Sequence, residues 1–489
     1  EYVSMKLRAL FALTVSLAAI GCASSGLVGS DGQRSIAPGV AQKAAQQHTQ
    51  IIQEFGGPVP ANVSAYVSNV GGRVAAQSGV QAGGFRFTTL NSPVMNAFAV
   101  PGGYIYITRQ LLGLMNSEAE LASVLGHEVG HVTADHSAER QNRGLLSQLG
   151  ALLVGVVTGS GELAQVAGQV SQGLFLRYSR EQELESDELG VRYMTAAGYD
   201  PLQSPAMLAS LGAWSDMEAR FTGRQDNQRA TPSWARTHPL SAERVTRATQ
   251  RAQATGRAGQ GIVNRDQHLA VLSGMIFDDD PAQGVVEGRD FLHPDLRLAF
   301  TVPQGFGIQN GSRAVSVIGS NGQAQFSTGQ FNGNLGTYIA QVYRAIGGQQ
   351  AQIPYTQPRS VSVNGIPAAY SSARVQTQQG VLDVTVFAYQ FDSNRAYHFL
   401  TIAPGGTGLG PFGPMVQSVR RLSAQEAAAI RPRVIQIVTV DGNDTIQSLA
   451  GRMAYSTYQS ERFRILNGLR AGDTVRPGQR VKLVVYGRR

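Results

Sequence analysis

The chain has 489 residues, of which 42% are hydrophobic and 15% charged, with 57 glycines and one cysteine. That length is too great for one core and predicts about three domains, and the apolar fraction excludes a disordered chain. The net charge of +8 is scattered, without a basic stripe interleaved with aromatic residues, which argues for a solvated cationic surface and against a nucleic-acid partner.

Met5, Lys6 and Arg8 precede an apolar run from Ala9 to Ile20, the layout of an export signal. The run ends at Ala19-Ile20-Gly21-Cys22, which resembles a bacterial lipoprotein signal. The resemblance implies cleavage before Cys22 and lipidation of that residue, and Ala23 after it favours the outer membrane. A leader over 1–22 and a Gly/Ser-rich tether over 23–37 are therefore expected, on a periplasmic protein anchored by its lipid. The alternative is an ordinary secretory signal with an incidental cysteine. No later segment reaches the 18 or more uncharged apolar residues of a membrane helix; Leu145–Val157 comes closest and carries Gln148.

Pro38 to about Gly79 has helical spacing, and Phe85–Leu90 alternates as a strand. Asn96-Ala97-Phe98-Ala99-Val100 leads through Pro101-Gly102-Gly103 into a second strand, Tyr104–Ile107. A helix opens after Asn116, with Ser117 and Glu120 in capping-box spacing and Leu121, Val124, Leu125 and Val132 as its buried side. Residues 158–171 mix glycine with small residues. Leu174–Ala197 is helical and stops at Gly198, and helical signals continue to about Arg251. These segments form a domain over 38–251, and the Gly-rich stretch 252–262 reads as a linker.

Residues 263–425 read as an α+β module. Its strands are expected at Leu298–Val302, Ala314–Ile318, Val381–Tyr389 and Tyr397–Ile402, its helices at Leu335–Ala345 and Pro414–Leu422. It shows no catalytic constellation. Residues 432–489 run strand, helix, helix, strand, with Gly442-Asn443-Asp444-Thr445 starting the first helix. That order resembles a LysM module, a resemblance that implies binding to peptidoglycan glycan; a structural cap for the middle module is the other reading.

The chemistry lies in His127-Glu128-Val129-Gly130-His131. Residues four apart share a helix face, so both imidazoles can hold one Zn²⁺, with Glu128 beside them as the base for an attacking water. A catalytic zinc takes three protein ligands, and Glu183 and Asp187 sit four apart on the second helix. One can bind metal while the other accepts from a ligand imidazole. Glu181 and Glu185 read as solvated and His136 as a hydrogen-bonding residue at the helix end. His48, His268, His293 and His398 read as structural.

With Asn96-Ala97-x-Ala99-x-Pro101-Gly102-Gly103, Gly198-Tyr199-Asp200-Pro201 and Thr237-His238-Pro239, this pattern resembles the zinc peptidases of the HtpX and CAAX prenyl protease type. It is most similar to the periplasmic β-barrel assembly-enhancing group, over about residues 40–250. The resemblance implies a mainly helical, gluzincin-like catalytic domain with a small sheet in a multidomain α+β chain. It implies zinc bound by His127, His131 and Glu183, Glu128 as base, and Asp187 behind a ligand histidine. Ser186 stands where the group has alanine. Asn96, Ala97, Phe98 and Ala99 then form an edge strand that pairs with substrate; the alternative is a core strand. For His238 three readings stand: a fourth zinc ligand that keeps the site latent, an oxyanion donor (alone or with Arg244), or a helix cap. The expected function is proteolysis of misassembled envelope or outer-membrane proteins. The alternatives are a mainly non-proteolytic chaperone and a peptidoglycan-associated adaptor.

Overall fold

The computed structural model describes residues 27–28, 34–81, 83–136, 178–221, 233–311, 314–347, 353–377 and 380–488. Cys22, the whole leader, most of the tether and the stretch 137–177 with Leu145–Val157 lie outside the described residues.

The chain is a mixed α+β protein of several packed units. Helix α1 (Pro38–Glu54) starts on a proline, which suits a first helical turn. Helix α2 (Ala61–Ala75) buries Val63, Val67, Val70 and Val74, the four-three-four spacing of one apolar stripe. Strands β1 (Arg86–Leu90), β2 (Ala97–Val100) and β3 (Tyr104–Thr108) form a sheet in the order β1-β3-β2, leaving β2 at an edge. Helix α3 (Arg109–Leu114) follows without a loop, and the Thr108 hydroxyl accepts from Leu111 N at 3.3 Å.

Helix α4 (Glu118–Thr133) is buried along its whole length, so it runs through the unit as its central rod. Ser117 caps it by accepting from Glu120 N at 3.1 Å. The Glu120 carboxylate reaches one residue further back than a capping box requires and accepts from Asn116 N at 2.6 Å. Helix α5 (Arg180–Ala196) has a full capping box at Ser179 and Gln182, and Gly198 at φ +92° takes the left-handed turn after it. Helices α6 (Gln203–Phe221), α7 (Ser233–Thr237) and α8 (Ala242–Ala254) complete the bundle.

Residues 255–262 turn back onto this bundle. Ile262 N donates to Gly198 O at 2.8 Å and Asp200 N to Ile262 O at 3.1 Å. Helix α9 (Arg265–Leu272) then packs beside α2 and α4. On it, buried His268 donates to the Met115 carbonyl at 3.2 Å and accepts from the Tyr66 hydroxyl at 2.9 Å. Burial, aided by the charge of Lys482, pushes its imidazole down to about 3. His48 and His398 likewise meet the hydroxyls of Tyr106 and Tyr338.

The middle module is a seven-stranded antiparallel sheet. The helix Leu335–Gly347 covers one face, and a four-stranded sheet with the short helix Gly413–Ser418 packs on the other. The expected helix Pro414–Leu422 is thus shorter: Arg420–Arg421 leaves it to pair with Leu298–Ala299. The large sheet contains Gly307–Asn310, Gly322–Thr328, Arg359–Val363 and Ile366–Thr377 as well as three of the strands read from sequence, while the fourth, Leu298–Thr301, lies in the four-stranded sheet.

In the last unit, Arg433–Thr439 and Arg480–Tyr486 pair around the helices Ile446–Gly451 and Gln459–Leu466. Ile276–Phe277 adds a third strand. Lys482 is fully buried and donates to the carbonyls of Gly113, Leu114 and Met115 at 2.8, 2.9 and 2.6 Å. These are the open acceptors at the end of α3. Arg265 adds a bond to the Asn116 carbonyl at 3.2 Å. The last strand therefore grips the loop that leads into α4.

Candidate metal centre

Helices α4 and α5 meet backbone to backbone. A β-carbon on Gly190 would lie 2.9 Å from His127 N, and one on Gly126 or Gly130 would lie 3.1 Å from the Gly190 or Ser186 carbonyl. The absent β-carbons favour that approach, most of all at Gly190, and it brings side chains of α5 within reach of the imidazoles on α4.

The approach gathers His127, His131, Glu183 and His238, whose ligand atoms all lie within 4.8 Å of one another. His127 Nε2 is 2.9 Å from His131 Nε2 and 3.7 Å from Glu183 Oε2. Glu183 Oε1 is 3.3 Å from His131 Nε2 and 3.0 Å from His238 Nδ1, and that nitrogen is 3.3 Å from His127 Nε2. Donors about 2.1 Å from a tetrahedral ion are separated from each other by about 3.4 Å. The observed spacings scatter around that value, so the donor set fits zinc. Glu128 is fully buried beside it, with Oε1 3.5 Å from His238 Nε2.

Behind the ligands, Asp187 Oδ1 lies 2.9 Å from His127 Nδ1, which turns Nε2 toward the centre. Arg244 grips Asp187 with Nε and Nη2, both at 2.7 Å, and reaches Glu183 with Nη1 at 2.6 Å. Burial alone would push both carboxyls up. The Arg244 guanidinium and the facing histidines outweigh it, holding Glu183 well below the usual carboxylate range and Asp187 below its ordinary value. Both groups are therefore anionic acceptors. Arg244 also donates to Pro239 O, so all three of its nitrogens are engaged.

His238 enters from the segment after α7. Its Nε2 lies 3.3 Å from the Ala97 carbonyl, and a carbonyl only accepts, so that nitrogen carries the proton. Nδ1 then presents its lone pair to the other ligands. Trp234 stacks on the ring at 4.3 Å. Because Asn96 O takes Thr108 N, Ala97 and Ala99 turn their backbone groups to the outer edge of β2. Thr237 also donates to the Asn96 side chain at 3.4 Å. The edge is thus covered, with Ala97, Phe98 and Ala99 all buried. Beside His127 a pocket is lined by Val124, Met207, Leu208, Leu211 and Trp234.

Residues 61–252 match the sequences of peptidase family M48. That segment is similar to the family. The chain is 36% identical over 140 residues to the mitochondrial metalloendopeptidase OMA1 of Arabidopsis thaliana, covering 28% of each chain. It is 28% identical over 200 residues to the β-barrel assembly-enhancing protease of Escherichia coli K12, covering 39% of each. A crystal structure from Bacteroides thetaiotaomicron overlaps 42% of this chain and 88% of that one at 12% identity, with a TM-score of 0.24. The matched stretch spans well under half the length of these two relatives.

Several residues that build the site have roles that the sequence reading did not assign. Gly126, Gly130 and Gly190 were visible only as small residues at helical spacing. Tyr178 stacks on His131 at 3.6 Å and 12°, and Ser186 Oγ lies 3.0 Å from His131 Nδ1. Glu181 and Glu185 are both exposed, as read, and Glu185 in addition pairs with His136 at 3.2 Å.

Proposed function

We propose that the chain is a zinc-dependent endopeptidase. The observation that carries this reading is the convergence of His127, His131, Glu183 and His238, ligand atoms within 4.8 Å of one another, beside the buried carboxylate of Glu128. Zinc held there supplies a Lewis acid that polarises the scissile carbonyl and lowers the pKa of water. Glu128 takes the proton of the attacking water and passes it to the leaving amine. Asp187 and Arg244 hold His127 and Glu183 in place. The purified chain is expected to carry one zinc and to cleave an unfolded protein such as casein. Chelation should abolish cleavage and added zinc restore it; a metal-free chain that still cleaves would overturn the reading.

With metal bound, His238 would be the fourth ligand beside His127, His131 and Glu183 and would keep the site closed. The same residue holds the Ala97 carbonyl, so release of the metal site and exposure of edge β2 are one event. An extended substrate then pairs along Asn96, Ala97, Phe98 and Ala99, with a side chain in the pocket beside His127. Contacts worth about 1 kcal/mol hold the closed form, so His238→Ala is expected to raise casein cleavage about fivefold. A large fall would assign His238 to oxyanion stabilisation.

Cellular placement follows from the sequence: a leader ending at Cys22, a lipid anchor in the outer membrane, and envelope proteins as substrates in the periplasm. Among the described residues no helix is long and apolar enough to cross a membrane. The division into 38–251, 263–425 and 432–489 completes this proposal, with α9 and Ile276–Phe277 at the start of the second stretch joining it to the first and last units, and with the last unit, LysM-like in its element order, as the part that meets peptidoglycan.

A further inference from the structure

The two ligand histidines of α4 are oriented by different means. His127 has the carboxylate of Asp187 behind it, at 2.9 Å. Among the described residues no such carboxylate stands directly behind His131: its Nδ1 faces His136 Nδ1 at 2.9 Å and Ser186 Oγ at 3.0 Å. Ser186 Oγ is in turn 3.2 Å from His136 Nδ1. His136 Nε2 then lies 3.2 Å from Glu185 Oε2. The His136 side chain is 2% exposed and that of Glu185 60%.

The backbone makes this possible. On a continued helix a residue five positions on lies about 140° around the axis, and His136 would point away from His131. Helix α4 instead ends at Thr133, and Asp135 takes φ +64°. That left-handed turn, unfavourable for a residue with a β-carbon, brings His136 back beneath His131.

We propose that Glu185 and His136 form a carboxylate–histidine relay that fixes the tautomer and orientation of His131. His136 and Glu185 act as positioning residues, and the proposal rests on the zinc reading of the site. The logic runs inward from solvent. The Glu185 carboxylate can only accept, so His136 carries its proton on Nε2 and keeps a lone pair on Nδ1. That lone pair receives the Nδ1 proton of His131, directly or through the Ser186 hydroxyl, and both routes leave His131 Nε2 bare toward the metal. Stacking of Tyr178 holds the ring plane while the relay sets which nitrogen carries hydrogen. His131 thereby gains the influence of a carboxylate that is not its neighbour.

The test measures the zinc dissociation constant of the full chain by competition with a chromophoric chelator. Partners of metal-bound histidines are worth about 10- to 100-fold in affinity, so His136→Ala is expected to loosen zinc within that range. Glu185→Ala, at an exposed position where folding is little affected, should loosen it about three- to tenfold. The double variant should be no looser than His136→Ala alone, because a broken relay has nothing further to lose. Glu185→Ala with wild-type affinity, or strictly additive losses, would overturn the relay, and Glu185→Ala decides the matter even if His136→Ala fails to fold. A wild-type chain that takes up no zinc would overturn the metal reading and the relay with it.

Discussion

Glu128→Gln is expected to lower casein cleavage by about 10³-fold or more while leaving zinc bound. The carboxylate is buried at the donor set but is not among the four ligands that converge there. The amide keeps the volume of the side chain and loses only its ability to take a proton. General acid–base catalysis by a positioned group contributes about 10² to 10⁴ in rate, and Glu128 serves both the attack and the departure of the amine. Glu183→Gln makes the contrasting case. It removes a ligand charge that Arg244, His127, His131 and His238 all face, so zinc itself should be lost. Metal content and cleavage measured on both variants separate the two roles. Residual cleavage by Glu128→Gln within tenfold of wild type would contradict the assignment.

Lys482→Met should destabilise the chain by about 3–5 kcal/mol, the usual effect of breaking a buried charged network from one side. Three carbonyls at the end of α3 lose their donor at once, and each buried acceptor left open costs about 1–3 kcal/mol. The shape of the side chain is kept, so packing is nearly unchanged. Burial pushes the Lys482 ammonium well down and the Glu120 carboxyl up, each opposed by the other's charge. The three accepting carbonyls require all three ammonium hydrogens and so favour the charged form. Glu120 lies in the first turn of the helix that carries the histidines, so cleavage should fall together with stability. Urea unfolding followed by tryptophan fluorescence reads the first effect. A loss below 1 kcal/mol would mean that the last unit is not braced through this residue.

The metal helix and its partner were legible because both obey a local period. His127 and His131 on α4, and Glu183 and Asp187 on α5, are neighbours on a helix face whatever the tertiary fold. His238 enters the cluster from another segment, and no local pattern predicts such an approach; only the resemblance of Thr237-His238-Pro239 pointed to it. Lys482 was hidden for a different reason. Val481, Lys482, Leu483 and Val484 are all buried, so both faces of that strand are covered and alternation says nothing about where a charge points. In the middle module, Arg359–Val363 and Ile366–Thr377 are rich in serine and alanine and weak in strand propensity. The turn between them, Asn364-Gly365 with φ +50° and +77°, is nonetheless a strong hairpin signal, and it was there to be read.

The glycine seam between α4 and α5 has a consequence for how this chain can vary. Because Gly126, Gly130 and Gly190 set the separation of two rods, a single added methyl would spread every donor on one rod from those on the other. Such a substitution touches no ligand, yet it would strain the donor set, most of all at Gly190, where an added β-carbon would lie 2.9 Å from His127 N. Screens for inactive variants should therefore find hits at these three positions that retain an intact coordination set and nowhere to put the ion.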